Sequence, residues 1–279
     1  MSESPWRPTL LVRATLWLHG VAVAVVVVSP PHWRWVLVAL LVNHFVLMLV
    51  GLWPRSQWLG PNWTQLPAAA AARHEVALTI DDGPDPVVTP QVLELLARYG
   101  VPATFFVIGT RAERYPELCR DIMRRGHAIE NHSQRHRHTF ALMGWKGITR
   151  ELEAAQATLT ALTGQRPLFF RAPAGFRNPF LDRVLCRLGL QLVSWSVRGF
   201  DTRVRNAEQV KSKLLTGLRP GAIVLLHDGN VARTPAGQPV ILEVLPALLD
   251  AAAASKLQFV TLGQASVCAS PTVPSMAHA

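Results

Sequence analysis

From Glu75 onward the chain repeats one short grammar: a few apolar, β-branched or aromatic residues, then a stretch of helical period closed by glycine. Residues 76–80, 103–107, 128–130, 168–170, 190–195, 222–226 and 257–261 read as strands. The first predicted helix has Thr89 as N-cap and Gly100 just past its end. Others are predicted over 116–125 before Gly126, over 149–162 before Gly164, from an Asn178-Pro179 cap to near Gly189, over 207–218, and after Pro239. Strands that alternate with helices pair in parallel, so the fold class is α/β. The alternation alone does not decide between a barrel and an open sheet.

The reactive residues fall at one kind of place. Asp81 and Asp82 follow the first strand, His132 and His136 the third, and Arg171 the fourth; Asp201 comes soon after the fifth, and His227 closes the sixth. In a parallel barrel the carboxyl ends of the strands share one face, and that face holds the active site. Two imidazoles four residues apart lie on one side of a helical turn and can bind one metal. That spacing is a weak signal alone, since such pairs are commonly surface or packing histidines, and His127 and His138 show that the stretch is simply histidine-rich. Asp82 adds a carboxylate and completes a three-ligand set with open positions, as hydrolytic zinc requires. Asp81-Asp82-Gly83-Pro84 is also a good turn sequence. The apolar strand before it and the distant histidines make turn formation an incomplete account.

Composition matters for what precedes this domain. Hydrophobic residues make up 49% of the chain and charged residues 16%, a balance that calls for a search for membrane segments. Two apolar stretches, 10–28 and 35–53, are each about long enough to cross a hydrocarbon core of roughly 30 Å as a helix. Pro30 and Pro31 fall in the turn between them, and Trp33, Trp35, Trp53 and Trp58 lie near the expected interfaces. A cleaved signal peptide is the competing reading. No small-residue cleavage site follows Val28, and the alanine run at 68–72 comes too late. The expectation is therefore a two-helix transmembrane hairpin over 1–53, a linker over 54–73, a catalytic-type domain over 74–263 and a disordered tail over 264–279. Arg7, Arg13, Arg55 and Arg73 flank the two spans and only Arg34 lies in the turn, which favours both chain ends on the cytoplasmic side. His19, Asn43 and His44, inside the spans, are expected to bond between the helices. The net charge is +10, but the arginines are scattered and no basic run interleaves with aromatics, so membrane lipids are the expected partner and not nucleic acid. Cys119, Cys186 and Cys268 form no C-x-x-C knuckle and read as reduced thiols.

Several segments together resemble one family. Thr79-Ile80-Asp81-Asp82-Gly83-Pro84 resembles the T-F-D-D-G-P motif of the polysaccharide deacetylases, carbohydrate esterase family 4, whose shared unit is the NodB homology domain. His132 to His136 is similar to that family's H-[ST]-x-x-H motif, Arg171-Ala172-Pro173-Ala174-Gly175 to R-x-P-[YF]-G, the segment 195–201 to its fourth motif, and Leu225-Leu226-His227 to L-x-H. The resemblance implies a distorted (β/α) barrel and a divalent metal, usually zinc, held by Asp82, His132 and His136. It implies Asp81 as general base positioned by Arg171, His227 as general acid oriented by Asp201, and the backbone N–H of Ala174 at the oxyanion, with Pro173 and Gly175 in the same loop. Base and acid then hold different protonation states at one pH, as amide hydrolysis needs. Two departures stand out: Ala174 replaces the motif's aromatic, and Arg198 and Thr202 replace a common Asp and Trp. They put polymer binding in doubt, and Arg198 brings a cation that suits a phosphate. The expected activity is removal of an N-acyl group, N-acetyl first, from an amino sugar in a polysaccharide or a lipid-linked saccharide at a bacterial inner membrane. A catalytically inactive sugar-binding protein on the same fold is the alternative; loss of Asp81 or His227 would have favoured it.

Overall fold

A computed structural model describes residues 6–267. Two long helices open it: α1, Leu10–Val28, capped by the Thr9 hydroxyl, and α2, Trp33–Leu52. Both are long and apolar enough to cross a membrane, and most of their side chains are exposed rather than packed in a core. The Thr15 hydroxyl donates to Asn43 Oδ1 across the helix pair at 3.1 Å, and the His19 and His44 rings meet edge to face at 5.3 Å. Asn43 thus bonds between the helices as expected, whereas His19 and His44 bond to Thr15 O and Leu40 O of their own helices and meet only through their rings.

The stretch expected to be a linker is built into the domain. Trp63 pairs in parallel with Val193, taking a bond from Ser194 N–H and giving one to Leu192 O. Leu66 N–H donates to Gly221 O, and a short helix, α3, Ala68–Ala72, follows. Leu59, Leu66 and Ala70 are buried, which is burial enough to fix this segment against the sheet.

The chain then enters β1, Glu75–Asp81, and alternates: α4, Val88–Tyr99; β2, Thr104–Val107; α5, Gly109–Arg114; α6, Pro116–Arg124; β3, Ala128–Asn131; α7, Trp145–Thr163; β4, Phe169–Phe170; α8, Leu181–Leu188; β5, Gln191–Leu192; β6, Val197–Arg198; α9, Ala207–Gly217; β7, Ile223–His227; α10, Val240–Ala254; β8, Gln258–Phe259; and α11, Leu262–Val267. The strands form one parallel sheet in the order β5-β4-β3-β2-β1-β7-β6, with β8 on the first residues of β1. The sheet curls but stays open between β5 and β6, so it is a half-barrel of the distorted (β/α) kind rather than a closed ring. The stretch 63–66 is bonded at both sides of that opening, to β5 and to the residue pair before β7.

The pleat sorts the side chains. Val76, Leu78 and Ile80 of β1, Phe105 and Val107 of β2, and Val224 and Leu226 of β7 pack outward against α4, α9 and α10 in the main core. Ala77, Phe106 and Ile223 point inward, where Leu66, Ala70, Leu262 and Ala265 close the base of the curl. Thr79 and Asp81 continue the inward row of β1 toward its carboxyl end. α11 covers residues read from sequence as the start of a tail, and packing of Leu262 and Ala265 explains it; the remainder of that expected tail, 268–279, lies outside the described residues. Glycines close α4, α7 and α8 in the left-handed conformation at Gly100, Gly164 and Gly189, as expected.

Candidate metal centre and catalytic cleft

The cleft, of about 520 Å³, opens at the carboxyl ends of the strands and is lined by Asp81, Asp82, His132, His136, Ala174 and His227, among others. β1 supplies the first two. Successive residues of a strand face opposite sides, so both carboxylates can face the cleft only if the strand ends between them. It does: Asp82 takes a left-handed φ of 74°, which swings its carboxylate to the same side as that of Asp81.

His132 and His136 sit on the loop after β3. The ligand atoms of Asp82, His132 and His136 all lie within 4.8 Å of one another. Both imidazole Nε2 atoms stand 3.2 Å from Asp82 Oδ1, yet that buried oxygen makes no hydrogen bond. Three donor atoms converging without satisfying each other is the arrangement a cation completes. His132 Nδ1 lies 2.8 Å from Arg171 O, an acceptor, which fixes the proton on Nδ1 and leaves the Nε2 lone pair toward the gap. Burial, reinforced by His132, lowers the His136 pKa to about 4, so its ring stays neutral and able to ligate. Burial opposes the Asp82 carboxylate, but His132, His227 and His136 outweigh it and hold its pKa below the usual carboxylate range. The residues present therefore fit a divalent ion.

Two charged pairs flank this set. Arg171, 1% exposed, crosses the inside of the curl over the Phe106 ring. Its guanidinium donates to Asp81 Oδ1 at 2.6 Å, to the Thr79 hydroxyl at 2.9 Å, and to the carbonyls of Val193 and Ser194. A buried cation so fully bonded is a fixed frame for the Asp81 carboxylate. On the other side, Asp201, fully buried, accepts from His227 N–H at 2.7 Å through Oδ2 and faces His227 Nδ1 at 2.9 Å through Oδ1. Burial lowers the His227 pKa, but the Asp201 carboxylate more than reverses that and raises it to about 9. A carboxylate held by a cation and an imidazolium held by a carboxylate thus stand on either side of one potential metal site.

The remaining expected residues lie close by, with one exception. Ala174, at a left-handed φ of 54°, and Gly175 line the cleft, whereas Pro173 is buried behind the loop and does not reach it. Gly175 has φ 77°, and a Cβ there would come within 2.7 Å of both Pro54 and Trp195, so the position admits glycine alone. Arg198 and Thr202 also line the cleft; the Arg198 guanidinium lies over the Trp195 and Phe200 rings, each at 5.0 Å, and its buried Nε has no partner.

Three residues of the site carried no sequence signal. Arg111 donates to Asp82 O at 2.8 Å and to Asn230 Oδ1 at 3.0 Å, and Asn230 Nδ2 donates to Asp82 Oδ2 at 3.1 Å. Asp228, fully buried, accepts from the Thr89 hydroxyl and from Gly229 N–H, and burial raises its pKa to about 7. That bond also corrects the expected role of Thr89: α4 begins at Val88, the Asp85 carboxylate takes the N–H groups of Val87 and Val88, and Thr89 turns its hydroxyl inward.

A curled parallel sheet with a carboxylate, two imidazoles and separate acid and base pairs at its mouth defines a class of metal-supported hydrolases. The comparisons make the class particular. The polysaccharide deacetylase model matches residues 68–193. A chitooligosaccharide deacetylase from a Bradyrhizobium species is 40% identical over 154 residues, 55% of this chain and 70% of its own. Among solved structures, a peptidoglycan N-acetylglucosamine deacetylase superposes with a TM-score of 0.66 at 28% identity, over 73% of this chain and 91% of its own. An acetyl xylan esterase of family 4 from Clostridium thermocellum, solved with a cobalt ion, superposes with a TM-score of 0.61 at 32% identity, over 69% of this chain and 90% of its own. The chain belongs to the polysaccharide deacetylase family, a family of metal-dependent deacetylases in which the relatives of this chain include N-acetyl sugar deacetylases.

Proposed function

We propose that this protein removes the N-acetyl group from an amino sugar, using a divalent ion, zinc, held by Asp82, His132 and His136. The observation that carries the reading is the convergence of those three ligands within 4.8 Å between two oppositely built charge pairs. A divalent ion held there lowers the pKa of water toward about 7 and polarises the acyl carbonyl. Asp81, oriented by Arg171, takes the proton from the attacking water. The backbone N–H of Ala174 donates to the acyl oxygen as negative charge develops on it, with Pro173 and Gly175 shaping its loop. His227, kept protonated by Asp201, gives its proton to the sugar nitrogen as the C–N bond breaks, and the products are acetate and a free amine. Arg198 meets an anionic group on the substrate. Asp81 and His227 are both in place, which counts against an inactive sugar-binding protein.

The two apolar helices serve as a retained, multi-pass anchor in a bacterial inner membrane. Bonds from Trp6 Nε1 to Asp182 at 2.8 Å and from Arg177 N–H to Gly51 O at 3.1 Å support this, because a cleaved leader has no need of specific contacts with the domain it leaves. The arginine distribution favours the cytoplasmic side for the domain, where a lipid-linked saccharide is the accessible form of substrate.

The test uses the full-length protein in detergent, loaded with zinc and given an N-acetylglucosamine oligosaccharide while free amine is followed. Asp82→Ala is expected to lose both bound metal, by elemental analysis, and activity. His227→Ala is expected to keep the metal while kcat falls about 100-fold or more. Metal-loaded wild-type protein that frees no amine from any N-acetylated saccharide sinks the reading.

A further inference from the structure

A second cavity of the described residues is larger than the catalytic cleft. It lies between the hairpin and the domain, with a volume of about 670 Å³. Val12 and Leu16 of α1 and Leu47 and Met48 of α2 form one wall, and Leu142 and Phe180 of the domain form the other. Into this apolar space come two cations, Arg177 and Arg183. Arg177 is 4% exposed, donates to Ser56 O, and leaves Nε without a partner. Burial lowers the Arg177 pKa to about 10, outweighing the nearby Asp182 carboxylate that favours its charged form, so a further anion at the cavity would stabilise the cation. The domain surface here is also apolar where water would otherwise meet it: Leu142 is 85% exposed and Phe180 52%.

Two loops run from the cleft to the cavity, although no residue lines both. His138 lines the cleft and Ala141, three residues on, lines the cavity; Gly175 lines the cleft and Arg177, two residues on, lines the cavity. α2 touches the same loop: Gly51 O accepts from Arg177 N–H, and a Cβ at Gly51 would fall 2.3 Å from Arg177 O. A ligand whose tail fills the cavity would have its head beside the two loops that also reach the cleft.

We propose that this cavity seats the hydrocarbon chain of the substrate itself, an amino sugar joined through a phosphate to a long lipid. Arg177 and Arg183 meet the phosphate, and the sugar passes over the loops 138–142 and 173–180 to the metal site. The proposal rests on the deacetylase reading and on retention of the hairpin. A water-soluble polymer has no use for an apolar cavity, and a zwitterionic bulk phospholipid adds no net negative charge to the single Asp182 carboxylate that faces Arg177. The cleft repeats the preference, since Arg135, Arg198 and Arg203 line it.

The experiment has a binding arm and a kinetic arm, both on full-length protein in phosphatidylcholine nanodiscs. A diazirine-tagged long-chain alkyl phosphate is expected to label peptides containing Leu16 and Leu142, with excess untagged alkyl phosphate blocking the label. Equal labelling of those peptides by diazirine-tagged phosphatidylcholine overturns the proposal, because the cavity is then merely bathed in bulk lipid. In the kinetic arm, Met48→Trp fills the cavity. The ratio of kcat/KM for N-acetylglucosamine linked through phosphate to an alkyl chain over that for a soluble N-acetylglucosamine oligosaccharide is expected to fall about 10-fold. A ratio equal to wild type overturns the proposal. If wild-type protein frees amine from neither substrate, the deacetylase reading fails, while the labelling pattern still decides what the cavity binds.

Discussion

His227 carries the most informative single contact of the site. Its imidazole is buried, and burial alone would favour the neutral ring; the Asp201 carboxylate 2.9 Å away reverses this and raises the pKa to about 9. A general acid is useful only while it holds its proton. The rate is therefore expected to fall as pH rises through about 9, and in Asp201→Asn the alkaline limb should move to lower pH, which a pH profile of kcat/KM measures. An unmoved limb in that variant would assign it to another group. Stability follows the same sign: the folded-state pKa lies above the ordinary histidine value, so the pair's contribution is full below about 6.5 and is lost as pH climbs through about 9. The places of the seven titratable side chains, from Asp81 to His227, were legible in the sequence because each lies at or shortly after the carboxyl end of a strand. Arg111, Asn230 and Asp228 were not. Their work is to hold other polar groups across long separations, 148 residues for Asn230 and Asp82, and no local spacing encodes that.

At the scale of elements, α5 is the piece that the periodic reading missed. It spans only Gly109–Arg114, too short to show an apolar period, and it is joined to α6 through Tyr115. Its position matters because it carries Arg111 to the back of Asp82, where Asn230 from the loop after β7 also bonds. Two elements thus hold from behind the carboxylate proposed as a metal ligand. Arg111→Met or Asn230→Ala is expected to weaken metal binding about 10- to 100-fold, measured by chelator competition, while the fold persists. Unchanged affinity in both variants would reduce these bonds to loop packing. β6 was likewise invisible, since two residues on a sheet edge leave no pattern. The strands that carry long apolar runs, β1 and β7, were placed to within a residue, because burial on both faces leaves a continuous signal.

For the whole molecule, the sequence separated hairpin, linker and domain, and the linker is where it misled. The stretch 54–73 lacks a helical or strand period because it works singly: Trp63 pairs with one strand, Leu66 with the residue before another, and Leu59 and Ala70 fill gaps. Such contacts depend on partners far along the chain and leave no period to read. If both apolar helices span a membrane, as proposed, the two termini lie on one side of it. With positive charge at the flanks, a C-terminal reporter active only in the cytoplasm is expected to light up, and one active only in the periplasm to stay dark. The reverse result would move the domain outward and remove the lipid-linked substrate.

Pro54, two residues beyond α2, presses on Gly175, whose loop forms a rim of the cleft. If α2 lies in the bilayer, as proposed, that seam would set the mouth at one height above the surface and deny it a swinging tether. Selection is then by reach as well as by fit. An acetylated sugar close to its anchor is within range, and the same sugar several units farther out on a growing chain escapes, however well its shape matches the pocket.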